Sequence, residues 1–148
     1  MLTGGCLCGR VRYEISGKIG PVVHCHCVTC RKAQGGPFVT NAPVRTKYFR
    51  LVSGAELVAE FESSPRKMRC FCRTCGSPLW SRRESDPDVI RIRLGLLDSD
   101  PGRRPVAHIW VGEKAPWDDV ADGLPCSQGS GEELAAALTT SPARTGGS

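Results

Sequence analysis

The chain has 148 residues, 40% of them apolar, with 17 Gly, 11 Pro and a formal net charge of +5. That length fits one domain with one core, and the Gly and Pro content argues for short strands and turns over long helices. No apolar stretch approaches the roughly 18 residues of a membrane span, and Met1 is followed by Leu2-Thr3-Gly4-Gly5-Cys6 instead of a basic segment and an apolar signal core, so a cytoplasmic protein without membrane contact is expected.

Val11, Tyr13 and Ile15 alternate with Arg12, Glu14 and Ser16, the two-residue period of a half-buried strand, and the stretch from Gly17 to Pro21 supplies a turn. Val22-Val23 leads into His24-Cys25-His26-Cys27, after which Val28 to Gln34 has room for one short helix or knuckle before Gly35-Gly36-Pro37 stops it. Further short strands are expected over Phe38 to Val44, Phe49 to Val52, Leu57 to Phe61, Lys67 to Phe71 and Pro78 to Ser81. In Val89-Ile90-Arg91-Ile92-Arg93-Leu94 the alternation sends Ile90, Ile92 and Leu94 to the core and Arg91 and Arg93 to the other face. A last strand is expected over Ala107 to Val111, with Ala115-Pro116-Trp117 laying an aromatic against the sheet. Beyond residue 125 the composition turns to Ser, Gly and Gln around a short helix-forming run, Glu132 to Leu138. The domain is therefore set at 1–125 and a flexible tail at 126–148. The fold class is mainly β.

The nine cysteines are odd in number and fall in metal-knuckle spacings: Cys6-x-Cys8, Cys25-x-Cys27-x-x-Cys30 and Cys70-x-Cys72-x-x-Cys75, with Cys126 alone. Thiolates two or three positions apart converge on one ion when a tight turn aims both sulfurs the same way. Cys6, Cys8, Cys72 and Cys75 make a closed set of four, as structural zinc prefers. Cys25, Cys27 and Cys30 make a set of three, which is either an open site or one completed by Cys70 or a histidine. Cys70 otherwise reads as a strand thiol. With seven thiolates around two Zn²⁺ the net charge falls to about +2, so composition does not call for nucleic acid.

His24 and His26 flank Cys25, so on an extended segment they share one face while Cys25 and Cys27 share the other. They are placed to move protons beside the set of three or to remain surface residues, and His108, in an apolar strand, reads as structural. Arg66, Lys67, Arg69, Arg73, Arg82, Arg83, Arg91 and Arg93 outnumber Glu84, Asp86 and Asp88 between 66 and 93. That excess suits either a solvated sheet face or a site for a carboxylate-bearing small molecule.

Gly4-Gly5-Cys6-Leu7-Cys8-Gly9, His24-Cys25-His26-Cys27-Val28-Thr29-Cys30-Arg31-Lys32, Phe71-Cys72-Arg73-Thr74-Cys75-Gly76-Ser77-Pro78-Leu79, His108-Ile109-Trp110 and Lys114-Ala115-Pro116-Trp117 occur in one order over residues 4 to about 125. In these motifs the chain resembles the glutathione-dependent formaldehyde-activating (GFA) family, also called centromere-protein-V-like. The resemblance implies an Mss4-like fold of packed antiparallel sheets. It also implies a structural zinc at Cys6, Cys8, Cys72 and Cys75, and a second zinc, labile or catalytic, at Cys25, Cys27 and Cys30. It further implies a carbon–sulfur lyase acting on a thiol–aldehyde adduct such as S-hydroxymethylglutathione, with glutathione as the small-thiol partner. No catalytic side chain is assigned, and Cys70 departs from the pattern. The alternative is a non-enzymatic zinc module that binds a small thiol or a protein partner. Oligomeric state is not legible in the sequence.

Overall fold

The computed structural model describes residues 1–135, and the chain is mainly β. In chain order the elements are β1 (Leu2–Gly5), β2 (Arg12–Ile15), β3 (Val22–Cys25), the helix α1 (Val28–Gln34), β4 (Val39–Arg45), β5 (Phe49–Ser53), β6 (Val58–Ser64), β7 (Lys67–Cys72), β8 (Pro78–Arg83), β9 (Asp86–Arg93) and β10 (Pro105–Ile109), joined partly by 3-10 turns. They divide into two compact units, one from Met1–Gly20 with Ala42–Pro101, the other from Pro21–Asn41 with the chain from Gly102 onward.

In the first unit β1, β2 and β5 form an antiparallel sheet, and the second half of β4 heads a sheet ordered β4-β9-β8-β7-β6. Alternation on β2 buries Tyr13 and Ile15 and leaves Arg12 and Glu14 to pair with Asp98 and Arg50 at the surface. Tyr13 packs on Phe49 with ring centroids 5.1 Å apart and meets Trp80 edge-on at 6.3 Å, which joins the two sheets in one core with Leu79 and Ile92.

β1 carries no alternation a reader of the sequence would use, because Gly4 and Gly5 look like a turn. They are strand residues packed closely against β2: a Cβ on Gly4 would sit 2.6 Å from the Tyr13 ring, and one on Gly5 would meet the Val11 carbonyl and the Arg12 side chain. β9 also departs from its pattern. Ile90 and Ile92 are buried as expected, but Arg93 is buried too, with its guanidinium on the Arg91 carbonyl, and Leu94 belongs to a 3-10 turn. The guanidinium of Arg82 forks onto Glu60 at 2.9 and 2.8 Å and Arg69 is buried against Ser63, so part of the basic run is tied down inside this unit.

In the second unit β10 runs parallel to β3 and the first half of β4 runs antiparallel to it. The parallel pair is a departure from an all-antiparallel arrangement. α1 is capped at its start by Cys27, whose sulfur accepts the Cys30 N–H, and is stopped by Gly35 in the left-handed conformation at φ 75°. β10 ends at Ile109, short of the expected Val111, because Trp110 turns left-handed (φ 58°) and opens a 3-10 turn. Trp117 is 69% exposed, not laid on a sheet; Ala115 is the buried residue of that motif.

Of the segment 126–148, residues 126–135 are described and the rest of the Glu132 to Leu138 run lies outside the described residues. Pro125 to Gly129 hydrogen-bonds along β10 and just past it: His108 donates to Pro125, Ser127 to His108, Trp110 to Gly129 and Val111 to Ser127, all at 2.8–3.0 Å. Among the described residues no helix is long and apolar enough to cross a membrane.

Candidate metal centres

The sulfurs of Cys6, Cys8, Cys72 and Cys75 come together in the first unit, every pair within 4.8 Å. Cys6 and Cys8 lie 3.4 Å apart and Cys8 and Cys72 3.9 Å apart. Sulfurs on a tetrahedron of about 2.3 Å bonds stand about 3.8 Å from each other, so the set is suited to one tetrahedral divalent ion. Two knuckles far apart in the sequence make it. The chain turns after Cys8 and after Cys75 through Gly9 and Gly76, both left-handed, and β7 delivers Cys72. Backbone donors support the sulfurs: Val11 N–H reaches Cys6 Sγ at 3.3 Å. The Ser77 hydroxyl, then its N–H and that of Cys8, hold the Cys75 thiol down to about 5.

Cys25, Cys27 and Cys30 form the set of three in the second unit, again within 4.8 Å, and no fourth sulfur, imidazole or carboxylate joins them among the described residues. Strand register explains the placement. Cys25 is level with Val39 on β4 and Ile109 on β10, so its face of β3 is apolar and packs with Cys30. Cys27 caps α1, accepting from the Cys30 N–H at 3.3 Å and lying 3.2 Å from the Thr29 hydroxyl. The neighbouring thiols Cys25 and Cys30 favour its thiolate and drive its pKa far down; Cys27, then Cys30 and burial, drive Cys25 far up. Three sulfurs this close cannot all carry charge without a cation among them.

Cys70 belongs to neither set. Its register on β7 turns the buried sulfur toward a Glu60 carboxylate oxygen at 3.5 Å, and burial, then Glu60, pushes the thiol up to about 12. Cys126 is exposed, its sulfur 3.5 Å from the Leu124 carbonyl.

The opposite face of β3 carries a cluster of imidazoles. His24 and His26 share it, as expected, but the parallel pairing sets His108 level with His24, which spacing alone cannot reveal. His24 Nδ1 is 2.8 Å from Thr40 Oγ1, His26 Nε2 2.7 Å from His108 Nδ1, and His108 Nε2 2.8 Å from Asp122 Oδ2. Burial, then His108, pulls His24 down to about 4, and burial first of all lowers His26. Asp122 and Thr40 were not singled out in the sequence. A carboxylate in the otherwise unremarkable Asp-Gly-Leu-Pro stretch offers no local signal.

The family described as glutathione-dependent formaldehyde-activating enzyme matches residues 1–113. A Halomonas elongata protein carrying the same description is 31% identical over 129 residues, 81% of either chain. An uncharacterized lyase of Schizosaccharomyces pombe is 31% identical over 77 residues, 52% of this chain and 54% of its own. The crystal structure of a Rhodobacter sphaeroides protein superposes with a TM-score of 0.57 at 27% identity, covering 66% of this chain and 89% of that one. Together with the cysteine sets in their motifs, these likenesses show that the chain belongs to the glutathione-dependent formaldehyde-activating enzyme family.

Proposed function

We propose that the chain is a zinc-dependent carbon–sulfur lyase-like enzyme acting on a small thiol–aldehyde adduct such as S-hydroxymethylglutathione. The supporting observation is the difference between the two cysteine sets: four sulfurs that close a coordination shell, and three that leave one position for an exchangeable ligand. Cys6, Cys8, Cys72 and Cys75 hold a structural zinc in this reading, and Cys25, Cys27 and Cys30 hold a second, more labile one. Cys25, Cys27 and Cys30 would hold a divalent ion, which would supply a position favouring the thiolate form of a substrate thiol near neutral pH.

The side chains around that set provide the rest. Cys25 sits on an apolar floor with Val39 and Ile109, which keeps water from one side. Arg31 is held against the Glu113 carbonyl at 2.9 Å, and Lys32 is exposed on the same helix, where a substrate carboxylate can meet it. In the synthetic direction the thiol sulfur bonds to the aldehyde carbon, the carbonyl electrons move to oxygen, and the proton lost from sulfur ends on that oxygen. The lyase direction is the reverse, and no redox partner is needed.

The test is exchange NMR of formaldehyde, glutathione and S-hydroxymethylglutathione at matched free glutathione, where the spontaneous reaction is slow. Wild-type protein accelerates exchange and Cys30→Ala does not. Equal rates with wild type, variant and no protein would reject the activity on this pair and leave a thiol-binding module as the better account.

A further inference from the structure

With all its rings neutral, the imidazole cluster on the far face of β3 leaves one ring nitrogen without a partner. His108 Nε2 lies 2.8 Å from the Asp122 carboxylate, and if that nitrogen carries the hydrogen, His108 Nδ1 can only accept. His26 Nε2 must then donate to it, and His26 Nδ1 is left as a bare lone pair. That atom is buried with no hydrogen-bond partner, and an Asp118 carboxylate oxygen lies 3.9 Å away. A fully buried acceptor facing a carboxylate is unfavourable. Adding a proton would supply the missing donor, but would place an imidazolium, on His26 or on His108, between two buried rings 5.0 Å apart.

A cation on His108 Nε2 resolves the count without charging a ring. The hydrogen then resides on His108 Nδ1 and is donated to His26 Nε2, and the His26 hydrogen moves to Nδ1, where it faces Asp118. The remaining donors are already assembled. One ring nitrogen of His24, one of His108 and a carboxylate oxygen of Asp122 lie within 4.8 Å of one another. Thr40 takes His24 Nδ1 at 2.8 Å, leaving His24 Nε2 to bind, so each ligand ring is anchored through its far nitrogen in the way metal-bound imidazoles are oriented.

From this geometry we propose that His24, His108 and Asp122 form a third metal site, separate from both cysteine sets, for a divalent first-row transition ion. Two imidazoles and one carboxylate favour such an ion over Mg²⁺ or Ca²⁺ and leave positions for water. Asp122 is exposed, which opens the site to solvent.

The experiment uses full-length protein with its cysteine sites loaded with zinc, titrated with Co²⁺ and followed by absorption and by paramagnetic broadening of the histidine ring resonances. One further Co²⁺ per chain is expected, with weak d–d bands, no intense thiolate charge-transfer band, and broadening of His24 and His108. Asp122→Asn, at an exposed position that leaves the core intact, lowers the affinity at least about tenfold with the zinc content unchanged, and Thr40→Val lowers it about 10–100-fold by freeing the His24 ring. Absence of a further equivalent, uptake only with thiolate charge transfer, or an affinity indifferent to Asp122→Asn would overturn the site.

Discussion

Tyr13 shows how one residue sets both stability and its pH dependence. Its ring is the centre of the aromatic core of the first unit, and its hydroxyl is buried without a hydrogen-bond partner. Such an orphan costs about 1–3 kcal/mol, so Tyr13→Phe is expected to raise the thermal midpoint at pH 7. Burial above all pushes the phenol well above its ordinary value of 10.0. The folded state therefore keeps a proton that the unfolded state releases above pH about 10, and stability is lost as pH rises past that value. The advantage of Tyr13→Phe in thermal midpoint should widen between pH 9 and 11; a constant difference would show that the hydroxyl is hydrated or bonded after all. Gly4→Ala acts on the same contact from the other side, since its Cβ would meet the Tyr13 ring at 2.6 Å and the Leu96 carbonyl at 2.7 Å. It should destabilise the protein by roughly 1–3 kcal/mol in denaturant unfolding, the range of an overpacked core.

At the scale of elements the two knuckle systems should fail differently. Cys75 closes a set that ties the turn after β1 to the end of β7, and a structural zinc contributes about 10 kcal/mol of apparent binding energy against a net stability of about 5–15 kcal/mol. Cys75→Ala should aggregate or lose its cooperative melting transition. Cys30→Ala removes one sulfur from the set of three, and should keep the transition while losing one equivalent of metal. A soluble, cooperatively melting Cys75→Ala protein would mean that the set of four is not what holds the first unit. The segment after β10 follows similar logic. A chain ended after Ala135 retains the hydrogen bonds that Ser127 and Gly129 make along and just past β10, whereas one ended after Pro125 loses them. Amide exchange at Trp110 and Val111 should be unchanged in the first and faster in the second.

For the whole molecule, the count and lability of metal summarise the functional reading. In protein purified without chelator the two cysteine sets should together hold close to two zinc ions per chain, one leaving much faster than the other when a chelator is added, because a shell with an open position exchanges by association of an incoming ligand. A single slowly released ion would remove the open site and with it the proposed lyase chemistry. The fast phase should disappear in Cys30→Ala, which links the kinetic class to the Cys25, Cys27 and Cys30 set.

Much of this was legible in the sequence because it is local. Alternation over Val11 to Ile15 and Val89 to Arg93 marks strands, Gly35-Gly36-Pro37 stops a helix, and cysteines two or three positions apart form knuckles whatever the rest of the chain does. The motifs around those cysteines also carried the family. Tertiary structure decided what depends on pairing between distant segments. β1 is a strand packed closely against β2, Arg93 is buried despite its place in an alternating pattern, and Cys70 faces Glu60 because of its register on β7. His108 stands beside His24 through a parallel pairing that no spacing encodes, and Asp122 reaches it from a loop. The physical reason is range: backbone periodicity and knuckle geometry are set within a few residues, while register, burial of charge and the company a histidine keeps arise only when strands far apart in sequence share hydrogen bonds.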